Sequence, residues 1–145
     1  TIGRSGKIKK TGTFFGMNYL FDTHALITLF HNEPGHEIVQ SIFEEIENGK
    51  ADGFISTVTL TELKYLYFKR FGEDESEKRL HPILTSNLTI IPVTISIALS
   101  AGSIKKAGIS LADAIIASTA REIQAVVVTG DTHFSEMGIE MKKYM

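Results

Sequence analysis

The chain has 145 residues, 43% of them hydrophobic and 22% charged, which suits one globular domain large enough to bury a core. It contains no cysteine, so disulfides, thiol catalysis and Cys-based zinc sites are excluded, and a reducing cytoplasmic compartment is compatible. The net charge is −2, and since the opening segment carries Arg4, Lys7, Lys9 and Lys10 without an acid, the rest stands at −6 and lacks a basic nucleic-acid footprint.

Residues 1–16 are basic, rich in Gly and Thr, and lack the apolar stretch of a signal peptide. They read as a leader or flexible arm, with one domain over 17–145. No apolar run approaches the ~20 residues of a membrane-spanning helix. Asn18 to Phe21 reads as a short buried strand ending at Asp22, and "THALITLFH" as the helix after it. Asn32 to Gly35 is a turn, with Pro34 suited to the first position of the next helix. That helix runs through Asn48, spaces Ile38, Val39, Ile42, Phe43 and Ile46 along one face, and stops at Gly49.

"DGFIST" is a second strand. The helix that follows points Leu60, Leu63, Leu66 or Tyr67, and Phe71 at the core, and Gly72 ends it. "EDESEKRLHPIL" is compatible with a helix or a loop. "LTIIPV" is a third strand, with Pro92 marking its end or an edge position. Helices over 95–107 and 110–123 are separated by Gly108. "AVVVTGD" is a fourth strand, and "IEMKKYM" is a candidate fifth at the edge. Strands alternating with helices predict a three-layer αβα domain around a mostly parallel sheet of four to five strands.

The tripeptide Asp-Thr-His occurs twice, at Asp22 and at Asp131, each time just after an apolar run. Asp22 and Asp131 end strands, while Glu62 and Asp113 lie near the starts of helices. In a parallel sheet with right-handed crossovers, strand C-termini and the N-termini of the returning helices share one edge. That edge is where open α/β sheets bind ligands. Taken singly, each acid has a capping explanation. "SLAD" and "TLTE" match the capping box, and Asp22 and Asp131 suit N-caps. Capping gives no reason for four acids to share an edge, nor for Thr129 to stand beside Asp131.

A metal site gives that reason. Two carboxylates at ~4 Å repel by about 4 kcal/mol at an effective dielectric of ~20. A divalent cation relieves the repulsion, and an all-oxygen donor set selects Mg²⁺ or Mn²⁺. Such ions align a phosphodiester and activate water, and they supply the positive charge that the domain lacks. His24 and His133 suit the pocket rim better than metal ligation. Lys69, Arg70, Lys105, Lys106 and Arg121 are candidates for gripping a nucleic-acid backbone, although basic residues on helices are more often simply solvated.

"FDTHALI", "ISTVTLTEL", "SLADAIIASTA" and "VVVTGDTHF", in that order, resemble the signature segments of PIN-domain ribonucleases, most closely the VapC-type toxins of toxin–antitoxin pairs. The resemblance runs from Met17 to the C-terminus. It implies an acidic Mg²⁺ or Mn²⁺ pocket built from Asp22, Glu62, Asp113 and Asp131, with Thr129 assisting. It also implies cleavage of single-stranded RNA, a homodimer, and a small antitoxin partner. Many relatives carry a further acid two residues after the last Asp, where this chain has His133, which bears on whether a second metal is held. The expected function is a metal-dependent endoribonuclease acting as a toxin. The alternatives are a PIN nuclease in RNA processing and a catalytically idle binding module. A phosphatase on a doubly wound sheet is disfavoured, because its Asp-x-Asp pair would need an acid at His24. For the homodimer, "EMKKYM" and the two central helices carry apolar positions that a lone domain would leave uncovered.

Overall fold

The computed structural model describes residues 16–145, and the opening segment through residue 15 lies outside the described residues. Among the described residues five strands form one sheet: β1 (Asn18–Phe21), β2 (Asp52–Ser56), β3 (Thr89–Ile91), β4 (Val126–Thr129) and β5 (Met141–Lys143). Their order is β3-β2-β1-β4-β5 and every neighbouring pair is parallel. Among the described residues seven helices connect them: α1 (Thr23–Phe30), α2 (His36–Glu47), α3 (Thr57–Phe71), α4 (Glu73–Leu84), α5 (Ile95–Ile104), α6 (Leu111–Ile123) and α7 (His133–Glu136). The sheet is therefore parallel throughout, as its strands' continuous apolar character requires when both faces are covered.

Alternate side chains of each strand enter opposite layers. Phe21, Val126 and Val128 pack with Leu26, Val39, Ile42, Leu63 and Tyr67 on one face. Leu20 and Val127 pack with Ala114, Ile116, Ala117, Phe134 and Met137 on the other. Leu20, Phe21, Val127 and Val128 are fully buried, and a large apolar side chain so placed contributes about 1.5–3 kcal/mol. The small residues Ala114, Ala117 and Ala120 let α6 lie close to the sheet.

The structure departs from the expected boundaries at several places. Helix α2 begins at His36 rather than at Pro34, because Gly35 takes a left-handed conformation (φ 92°) and acts as the N-cap. Glycine is needed there twice over, since a Cβ would also stand 2.7 Å from the Tyr144 carbonyl oxygen. The charged stretch left open between helix and loop is helix α4, whose first turn holds Glu73, Asp74 and Glu75 against the positive end of the helix dipole. In α3 it is Tyr67 that is buried, and Leu66 faces outward. Strand β3 stops at Ile91, before Pro92, and it is an edge strand.

Candidate active site

The strand order reverses at β1. Strands β2 and β3 extend one way from it, and β4 and β5 the other. A crevice opens at the carboxyl ends of β1 and β4, the place where doubly wound sheets receive ligands. Asp22 is the first residue past β1, and its backbone N–H donates to the Val128 carbonyl of β4 at 3.2 Å. Its side chain is the N-cap of α1, with Oδ1 accepting from the Ala25 N–H at 2.8 Å. Asp22 is thus a cap and a crevice residue together, and the two explanations do not compete.

The other expected residues converge on the same crevice. Asp22, Glu62, Asp113, Thr129 and Asp131 all line one cavity of about 770 Å³. Asp22 is buried, Glu62 and Asp113 are half-buried, and Asp131 is exposed at the mouth. Thr129 is fully buried; its hydroxyl donates to the Asp22 carboxylate and accepts from the Asp131 N–H at 3.0 Å. One threonine therefore couples the ends of the two central strands.

Glu62 is not the capping residue that "TLTE" suggested. Ser56 caps α3 by accepting from the Val58 N–H, which leaves Glu62 in the second turn. The Glu62 carboxylate instead accepts from the hydroxyl of buried Thr23. "SLAD" does make a cap, with the Ser110 hydroxyl accepting from the Asp113 backbone N–H at 3.0 Å. That bond uses Asp113's main chain.

Burial raises the Asp22 pKa above the ordinary carboxylate value, and the negative charge of Asp113 adds to it. The Thr129 and Ala25 hydrogen bonds and nearby His24 pull the other way. The shift is chiefly the cost of ionising a carboxyl taken out of water, with a like charge adding to the imbalance. An all-oxygen donor set with that imbalance suits Mg²⁺ or Mn²⁺ chemically. The carboxylates do not, however, form a closed cage. Among the described residues, no three His, Cys, Asp or Glu side chains are gathered tightly enough to hold an ion by themselves. The donor set fits Mg²⁺ in its usual mode, with one or two protein carboxylates and the remaining positions filled by water and substrate phosphate.

Three further residues of the crevice were not assigned a role from the sequence. Thr23 orients Glu62. Tyr144, just past β5, is buried against the cavity, receives a 3.4 Å hydrogen bond from the Thr28 hydroxyl, and has its phenol pKa raised chiefly by burial. Gly130 admits it, since a Cβ there would stand 3.2 Å from the Tyr144 ring. Tyr65 stands at the rim, exposed. Of the basic candidates, Arg121 is engaged elsewhere, donating to the Met137 carbonyl at 3.0 Å. His24 lines the cavity from an exposed position, as expected of a rim residue.

A family profile described as PIN domain matches residues 19–140. The chain belongs to the PIN domain family. Its fold is shared by VapBC2 from Rickettsia felis bound to a DNA fragment from its promoter, at 22% identity and TM-score 0.74, over 88% of this chain and 98% of that one. A toxin–antitoxin complex from Klebsiella pneumoniae matches at 26% identity and TM-score 0.59, over 79% and 87%. VapC20 of Mycobacterium tuberculosis, a sarcin-ricin loop cleaving toxin, matches at 17% identity and TM-score 0.65, over 86% and 98%. No curated protein sequence matches the chain significantly. No helix among the described residues is long and apolar enough to cross a membrane.

Proposed function

We propose that this PIN domain is a metal-dependent endoribonuclease that cleaves single-stranded RNA, and that it is the toxin of a toxin–antitoxin pair. The observation that carries the reading is the convergence of Asp22, Glu62, Asp113 and Asp131 on one cavity at the switch point of the sheet. The toxin–antitoxin complexes and the RNA-cleaving toxin among its structural relatives favour RNA as substrate and a small antitoxin as partner. One or two of the four carboxylates would bind Mg²⁺ or Mn²⁺ directly and the others through its bound water, and the ion would align a phosphodiester and acidify water. Thr129 fixes the rotamer of Asp22, and Thr23 fixes that of Glu62. One or more of these carboxylates would also orient the attacking water. The expected result with unstructured RNA is cleavage in Mg²⁺ or Mn²⁺ and none in EDTA. Full activity in EDTA would exclude the metal mechanism, and an inert protein in every metal would leave a binding module.

We also propose a homodimer. Ile95 and Leu99, one turn apart on α5, are 80% and 72% exposed, and Leu111 at the start of α6 is 64% exposed. Within "EMKKYM", Tyr144 turns inward while Met145 is 73% exposed, so both this segment and the helical surface carry uncovered apolar area. Light scattering at micromolar concentration should give twice the chain mass, and Leu99→Glu should halve it. A monomeric wild type would rule the dimer out.

A further inference from the structure

Helix α3 turns three large apolar side chains to solvent in succession: Tyr65 (59% exposed), Leu66 (38%) and Phe68 (50%). The fold does not need Tyr65, which belongs to neither hydrophobic cluster. Tyr65 does line the acidic cavity, one helical turn beyond Glu62 on the same face. Helical side chains lean toward the N-terminus of their helix, so the Tyr65 ring inclines toward Glu62 and the crevice. On its C-terminal side Lys69 places its ammonium 5.7 Å from the ring centroid, a cation–π arrangement. Lys64, one residue before Tyr65, is neutralised by Glu73 at 2.6 Å, whereas Lys69 has no carboxylate partner among the described residues.

We propose that Tyr65 and Lys69 form a nucleobase-stacking subsite beside the carboxylates, holding an unpaired base of the strand whose phosphodiester lies in the cavity. The subsite rests on the nuclease reading and extends it to how the strand is recognised. An exposed aromatic ring at the edge of a phosphate-binding cleft is the usual platform for single-stranded nucleic acid, because every base offers a π-face to it. Lys69 serves a neighbouring phosphate as a point charge. A flat exposed tyrosine beside a lysine without a carboxylate partner among the described residues suits a base and its phosphate better than it suits the side chains of a peptide. Duplex RNA would be rejected, since its bases are stacked on one another and cannot reach the ring.

The test compares two fluorescently labelled strands in Mg²⁺: a short oligoadenylate and an abasic ribose-phosphate strand of equal length. Both carry phosphorothioate linkages, which slow hydrolysis. Wild type should bind the oligoadenylate roughly ten- to hundredfold more tightly than the abasic strand. Tyr65→Ala should erase that preference while leaving abasic binding unchanged, and Tyr65→Phe should keep it. Lys69→Ala should weaken both strands alike and flatten the salt dependence. Because Tyr65 is exposed in mid-helix, the Ala variant is expected to fold, and circular dichroism checks it. A wild type without base preference, as expected if a protein partner covers Tyr65, overturns the subsite. So does a Tyr65→Ala variant that keeps the preference. Cleavage of ordinary RNA is read separately, so a protein that prefers the base yet cuts nothing would sink the nuclease reading and leave the subsite standing.

Discussion

Asp113→Asn is expected to lower kcat/KM for single-stranded RNA in Mg²⁺ by about 10²–10³, the usual cost of removing one preorganised charged or polar group from a catalytic centre. The fold should survive. The cap of α6 is made by the Ser110 hydroxyl and the Asp113 backbone N–H, neither of which the substitution touches. In EDTA the variant should be at least as stable as wild type, because the Asp113 charge adds to the burial that keeps the Asp22 carboxyl uncomfortable when ionised. Loss of activity together with loss of fold would instead mark Asp113 as a structural residue. Near-normal cleavage would remove it from the metal set altogether. The two measurements, steady-state kinetics in Mg²⁺ and a melting curve in EDTA, separate these outcomes.

The convergence on which this prediction rests was readable from topology. Apolar runs alternating with amphipathic helices required parallel strands, and parallel strands put Asp22, Thr129 and Asp131 on the edge where the helices bearing Glu62 and Asp113 begin. Contacts between residues distant in sequence were not readable. The Thr23 hydroxyl meets Glu62 across 39 positions, and the Thr28 hydroxyl meets Tyr144 across 116. No local pattern encodes either, because each depends on how α1 packs against α3 and where β5 joins the sheet. The capping motifs misled in one instance. "TLTE" matched a capping box, but the helix starts three residues earlier at Thr57, where the Ser56 hydroxyl captures the free N–H of Val58. Tyr65 is illegible in the sequence for a different reason. Helical periodicity asks which residues face the core, and an aromatic on the opposite face carries no signal until the cavity beside it is known.

At Asp22 the structural and functional roles meet in one carboxylate, and two substitutions take them apart. Asp22→Ala removes the N-cap of α1 and should cost about 0.5–2 kcal/mol. Asp22→Asn keeps an oxygen to accept the Ala25 N–H, and Asn caps as well as Asp. It also removes a buried charge whose folded-state pKa is raised from 3.8, chiefly by burial and further by Asp113. Because that pKa is raised, the folded protein binds the proton more tightly than the unfolded chain does. Wild-type stability from this group is therefore greatest at low pH and is lost as pH rises through the window above 3.8 up to the folded value. Asp22→Asn should lack that slope and, in EDTA at neutral pH, should equal or exceed wild type. Added Mg²⁺ should stabilise wild type progressively as its concentration passes the dissociation constant, and should stabilise the Asn variant much less. Cleavage should be lost in both variants. Urea denaturation at several pH values, with EDTA and with millimolar Mg²⁺, reads all of this. An Asn variant that is weaker than wild type in EDTA yet answers normally to Mg²⁺ would reduce Asp22 to a cap.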